Sequence, residues 1–192
     1  MKIFTDKKIE ELYRLLDVPM LDFDCGQLCA PENDGIPICC DQRTIIPILY
    51  ADELRWHRQH GKFWKRMPKR GKAARELAEM VEDDIDHLAV CLGPSKCERS
   101  KRAFVCRVFP FEPHCDSLGR VLGLTYTFSK DHPCPLVKME NVPYNPEFIQ
   151  NCIRFWRELF KLIPRERDLY REESKRMQRR FQRKGRKIPI FR

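Results

Sequence analysis

Ten cysteines fall within 192 residues, and most of them sit in short stretches broken by glycine and proline rather than on apolar helical faces. They are Cys25, Cys29, Cys39, Cys40, Cys91, Cys97, Cys106, Cys115, Cys134 and Cys152. A chain of this length can bury a usable core without covalent staples, so the cysteines are not needed to rescue a tiny fold. The opening residues, Met1-Lys2-Ile3-Phe4-Thr5-Asp6-Lys7-Lys8, hold no apolar stretch of the secretory type. A reducing, cytoplasmic setting is therefore the expectation. In such a setting a high cysteine density points to metal or redox chemistry instead of disulfides.

Apolar residues make up 42% of the chain and charged residues 34%, the balance of a globular domain rather than a disordered one. No apolar run approaches the roughly 20 residues that span a bilayer, so no membrane contact is expected. Charge is unevenly placed. Residues 171–192 carry ten Lys/Arg against two Glu, a net of +8 out of the total +9, which leaves +1 for the rest. The body of the chain is near neutral and its basicity belongs to the last stretch.

Helical spacing of Ile9, Leu12, Tyr13, Leu15 and Leu16 predicts a helix over 5–16, capped by Thr5 or Asp6 and stopped by Pro19. Residues 22–47 read as loop, and a helix opens at Ala51. The basic stretch 61–72 reads as a surface loop, 73–81 as helical, and 91–115 as loops and turns. Residues 121–128 are rich in β-branched and aromatic types and predict a strand. The clearest helix covers 147–163, with Asn145 as cap, Pro146 at the first position and a wide apolar stripe. A further helix over 165–184 puts Tyr170, Met177 and Phe181 on one face and ends at Gly185. The expected fold is α+β or mainly α, a small loop-rich cysteine-cluster domain closed by C-terminal helices. Residues 1–164 form the domain and 165–192 a basic helical extension.

The cysteines form two groups. Cys25-Gly26-Gln27-Leu28-Cys29 is followed after nine residues by Cys39-Cys40. Cys91 and Cys97 flank a Gly93-Pro94 turn, and Cys106-Arg107-Val108-Phe109-Pro110 follows after eight more residues. Cys134 lies between Pro133 and Pro135. Thiolates are soft donors suited to zinc or to iron–sulfur clusters. The metal-ligand set is therefore Cys25, Cys29, Cys39, Cys40, Cys91, Cys97, Cys106 and Cys134. Neighbouring side chains of extended backbone point to opposite sides, so one of Cys39 and Cys40 is expected to ligate while the other serves a second site or packs. Arg107, beside Cys106, is read either as offsetting thiolate charge or as an ordinary surface ion pair. Cys152 lies on the apolar helical face and reads as a core thiol, with Cys115 a spare. His57 and His60 stand at i, i+3 among Arg55, Arg58 and Lys62, and read as a solvated basic face.

The run Cys25, Cys29, Cys39-Cys40, then Cys91, Cys97, Cys106-Arg107-Val108-Phe109-Pro110 and Cys134-Pro135 resembles the YkgJ-like cysteine-cluster family of zinc- or iron-chelating proteins. The resemblance spans about residues 23–137. Its first group is stretched, and Lys101-Arg102-Ala103 stands where the family has Arg-Pro. It implies a metal centre, zinc or an iron–sulfur cluster of the 4Fe-4S kind. Through a related cysteine-rich region in flagellin lysine methylases, it also allows an iron–sulfur-dependent modifying enzyme. No Gly-rich dinucleotide loop, P-loop or Ser–His–acid signature supports the enzyme reading. A third possibility is a nucleic-acid contact through residues 171–192, where Phe181 interrupts a run of cations.

Overall fold

The first helix, α1 (Asp6–Leu15), starts where the Thr5 hydroxyl accepts a hydrogen bond from the Lys8 amide at 3.2 Å. The computed structural model describes residues 2–68, 75–77, 79, 81, 85–127 and 134–192, and shows a mixed α+β protein. Its contacts divide the chain into two units, Met1–Glu11 with Gly26–Arg107, and Leu12–Cys25 with Val108–Arg192. The division read from the sequence, at residue 164, is not the one the contacts make. Residues 165–192 belong with everything from Val108 onward.

The first unit is built on a three-stranded antiparallel sheet of β1 (Ile48–Tyr50), β2 (Trp64–Arg66) and β3 (Asp86–Cys91), in the order β1-β3-β2. The register sets Ile48 opposite Leu88 and Trp64 opposite Cys91. Helix α2 (Ala51–Gln59) follows β1 directly and turns two carboxylates into the fold. Asp52 accepts from the Ile3 and Phe4 amides at 2.6 and 2.8 Å, which ties the N-terminal segment down. Glu53, 1% exposed, accepts from the Phe104 amide at 2.7 Å. Phe104 is the first residue of α3 (Phe104–Val108), which at five residues is too short to be stable alone. A carboxylate at its positive end supplies the cap that its own sequence lacks. Leu49, Leu54, Phe63, Trp64, Ala89 and Ala103 form the apolar cluster beneath, and the Trp64 indole donates to the Lys101 carbonyl at 2.7 Å.

Three expectations change here. Residues 64–66 form a strand inside the stretch 61–72 read as a loop, because β3 supplies the ladder partner; residues 69–72 lie outside the described residues. The stretch 91–115 holds the end of β3, all of α3 and a strand, so Cys106 sits on a helix and not in a loop. His57 is buried rather than solvated, with its ring between Trp56 and Trp64 at centroid distances of 5.2 and 6.1 Å. Of the predicted helix 73–81, residues 75–77 are helical, and 73, 74, 78 and 80 lie outside the described residues.

The second unit contains an antiparallel hairpin of β4 (Phe111–Cys115) and β5 (Val121–Tyr126), with a bulge between His114 and Cys115. The predicted strand ran to Phe128, which lies outside the described residues. Helix α4 (Pro146–Leu162) begins as expected, with the Asn145 side chain accepting from the Glu147 amide at 2.9 Å. Cys152 is fully buried on its apolar face. Helix α5 (Pro164–Arg183) buries Ser174, Met177 and Phe181. The Ser174 hydroxyl accepts from the Cys115 amide at 2.8 Å and donates to the Tyr170 carbonyl at 2.7 Å, which fastens α5 to β4. Gly185 ends the helix with a φ of +60°, where glycine is favoured.

The residues beyond α5 return to the hairpin. Phe191 and Leu124 exchange backbone hydrogen bonds of 2.9 and 2.8 Å, and the Phe191 ring sits against Phe111, Tyr126 and Tyr144. Gly123 permits this approach, since a Cβ there would lie 2.5 Å from the Phe191 carbonyl oxygen. No described helix is long and apolar enough to cross a membrane.

Candidate metal centre

Cys91 is the last residue of β3, and the chain then turns at Gly93, whose φ of +90° suits glycine. A 3-10 turn at Pro94–Lys96 delivers Cys97, a second at Arg99–Lys101 reverses the chain, and α3 carries Cys106. The result is that Cys91, Cys97 and Cys106 all pack against the same apolar cluster of the first unit. Cys40 closes the 3-10 turn Ile38–Cys40, and its charge bears on each of those three thiols. The loop around it is pinned by Asp41, which accepts from the Arg43 guanidinium at 2.8 and 2.9 Å and from Asn33 at 3.3 Å.

Burial pushes the thiols of Cys91, Cys97 and Cys106 upward, and the neighbouring thiols push them further. For Cys106 the Cys40 thiol follows burial as a cause, then the Glu53 carboxylate. Four thiolates in one partly apolar place repel one another, and a bound cation reverses that balance. Two donors from the protein favour charged sulfur. The Gln42 amide donates to the Cys91 sulfur at 3.2 Å and to the Cys91 carbonyl at 3.1 Å, and the Arg102 side chain is hydrogen-bonded to Cys97. Arg107 is not the ordinary surface ion pair that was one of its two readings. It is buried, and its guanidinium donates to the carbonyls of Arg102 and Arg99, both at 3.0 Å. It braces the loop that carries Arg102.

The charge of Cys40 reaches the other three thiols, and all four cysteines are free. Among the described residues, no three His, Cys, Asp or Glu side chains stand close enough to hold a metal ion as placed. A cleft of about 470 Å³ opens beside Cys97, lined by Phe63, Leu92, Ser95, Lys96, Glu98 and Lys101.

The other four predicted ligands are placed differently. Cys39 is exposed, with its sulfur 4.0 Å from that of Cys40. Cys29 is buried in its own loop, where it accepts from the Ile38 amide at 3.4 Å and donates to the Gly26 carbonyl at 3.6 Å. Cys25 and Cys134 belong to the second unit, where Cys134 packs with Leu21 and Leu136 and Cys25 lies against that cluster. The hydroxyls of Tyr126 and Tyr144 lie 3.0 Å apart, and the charges of Cys134 and Cys25 both bear on Tyr144. Cys115 is buried on β4, its thiol pushed up to about 11 by burial. None of the ten cysteines forms a disulfide.

Sequence reasoning missed Gln42 and the roles of Glu53 and Arg102. Gln42 and Cys91 are 49 positions apart, and Glu53 and Phe104 are 51 apart, so no local pattern announces them. Arg102 stands five places before Arg107, outside the Cys-Arg motif. No family model matches the chain, and neither a curated protein nor a solved structure was matched to it.

Proposed function

We propose that the chain is a metal-binding protein in which Cys40, Cys91, Cys97 and Cys106 hold one centre, a 4Fe-4S cluster or a tetrahedral zinc ion. The observation that carries this reading is the packing of three thiols, drawn from a strand end, a turn and a helix, against one apolar cluster with Cys40 beside them. Four thiolates satisfy either centre. Gln42 and Arg102 supply hydrogen bonds to ligand sulfurs, which tune affinity and potential. The motif resemblance to the YkgJ-like family supports the same chemistry. A reducing, cytoplasmic compartment suits it, as thiols must stay reduced to ligate.

Anaerobic purification followed by a visible absorption spectrum and elemental analysis tests the proposal. A brown protein with iron and sulfide identifies a cluster, and a colourless one with stoichiometric zinc identifies a zinc site. A chain that retains neither, and takes up neither when reconstituted, refutes it.

A further inference from the structure

The exposed side of α5 is dominated by cations. Arg176, Arg179, Arg180 and Arg183 follow one another at i, i+3, i+4 and i+7, which places them on one helical face. With Lys184 they line a cleft of about 470 Å³. All five are exposed. Arg176 is paired with Glu173. Among the described residues, no carboxylate pairs with Arg179, Arg183 or Lys184. Like charges at i, i+4 destabilise a helix, and this stretch has three such pairs. Part of that crowding is offset, by Glu173 at Arg176 and by Glu112 and the Phe181 ring at Arg180.

We propose that this face of α5 binds the phosphate backbone of a nucleic acid. It stands independently of the thiol centre. From 176 to 183 the helix rises about 10 Å, roughly three nucleotides along a duplex strand. Arginine predominates, and its planar fork suits phosphate oxygens. The groove also argues against a lipid surface. A helix that lies in a membrane interface needs an apolar flank free to enter it. Here that flank, with Met177 and Phe181, is buried in the protein. Phe181 is not available to stack on bases either, since it is 7% exposed and covered by Arg180 and Arg186 at 5.9 and 5.8 Å from its ring. The interaction is therefore with backbone and independent of sequence.

The test uses the full chain and a fluorescent oligouridine of about 20 nucleotides, titrated across a range of salt. The triple variant Arg179→Gln/Arg183→Gln/Lys184→Gln is compared with Lys7→Gln/Lys62→Gln/Lys65→Gln, which removes the same charge from exposed sites of the first unit. Circular dichroism establishes that both keep the native fold. Each lost phosphate contact lowers the salt slope by about 0.7, so the first triple is expected to lose about 2 in slope and at least tenfold in affinity at low salt. The second triple should change affinity by less than about threefold. The proposal is overturned if the wild-type chain does not bind at about 50 mM salt. It is also overturned if the two triples weaken binding equally. Tighter binding to vesicles of anionic phospholipid, or to polyglutamate, than to the oligonucleotide overturns it as well.

Discussion

The Arg107 guanidinium donates to the Arg102 carbonyl at 3.0 Å, so the cation next to Cys106 in sequence holds in place the cation next to Cys97 in space. Its second bond, to the Arg99 carbonyl, closes the loop from the other side. Replacing Arg107 with alanine leaves two half-buried carbonyls without their charged donor, at a cost of about 2–4 kcal/mol. Arg107→Lys should recover less than half of that, because an ammonium cannot reach both carbonyls as a fork does. Urea unfolding measures both. A loss in Arg107→Ala below about 0.5 kcal/mol would show that the loop does not depend on it.

Cys106→Ser and Cys97→Ser should release metal and lower the stability of the first unit sharply, since ligation of structural zinc is worth roughly 10–16 kcal/mol of folding free energy. Cys152→Ser removes a core thiol from α4 and should cost about 1–2 kcal/mol with metal content unchanged. Metal-to-protein ratio and melting temperature separate the three. Equal loss in all of them contradicts the assignment.

Two titratable groups give the stability opposite slopes with pH. Burial beside Glu173 pushes Glu112 from 4.5 up to about 7, with Arg180 and Thr127 opposing. The folded chain thus holds a proton that the unfolded chain has lost, and stability falls as pH rises from about 4.5 to 7. Burial pushes His57 from 6.5 down to about 4, with Arg107 and His60 adding to it. There the unfolded chain takes up the proton first, so stability falls as pH drops from about 6.5 towards 4. Glu112→Gln should remove the first dependence, on the order of 2 kcal/mol, and leave the second. Denaturant titrations at pH 4.5 and pH 7 read the difference, and an unchanged slope in Glu112→Gln would rule out that carboxyl as its source.

Gly123→Ala places a methyl group 2.5 Å from a backbone oxygen, where no flexible side chain can give way. The strand-like contact of Phe191 must shift, at about 1–3 kcal/mol. Faster amide exchange at Leu124 and Phe191 is the expected signature, and native protection at both would refute it.

The helices were legible because their signals are local. Thr5 caps α1, Asn145 and Pro146 open α4, and Gly185 ends α5, all where the chain places such residues by type. The sheet of the first unit was not. β2 is three residues long inside a basic stretch, and it exists because β3, twenty residues later, offers it hydrogen bonds. Helix α3 was hidden for the same reason, since its cap is Glu53 of another helix. In the site, thiol identity was visible and thiol grouping was not. The sequence nominated eight cysteines, but only folding packs Cys91, Cys97 and Cys106 on one apolar cluster while Cys29 turns to its own loop and Cys25 lies against the cluster that holds Cys134.

The paired amide and carbonyl of Leu124 have one more effect. A two-stranded hairpin ordinarily presents outer backbone groups that can template the addition of a foreign strand. On the β5 side that opportunity is closed at Leu124, because Phe191 already occupies the groups another molecule would need. Displacing Phe191 would therefore bare the Leu124 amide and carbonyl and open that margin of β5 to pairing.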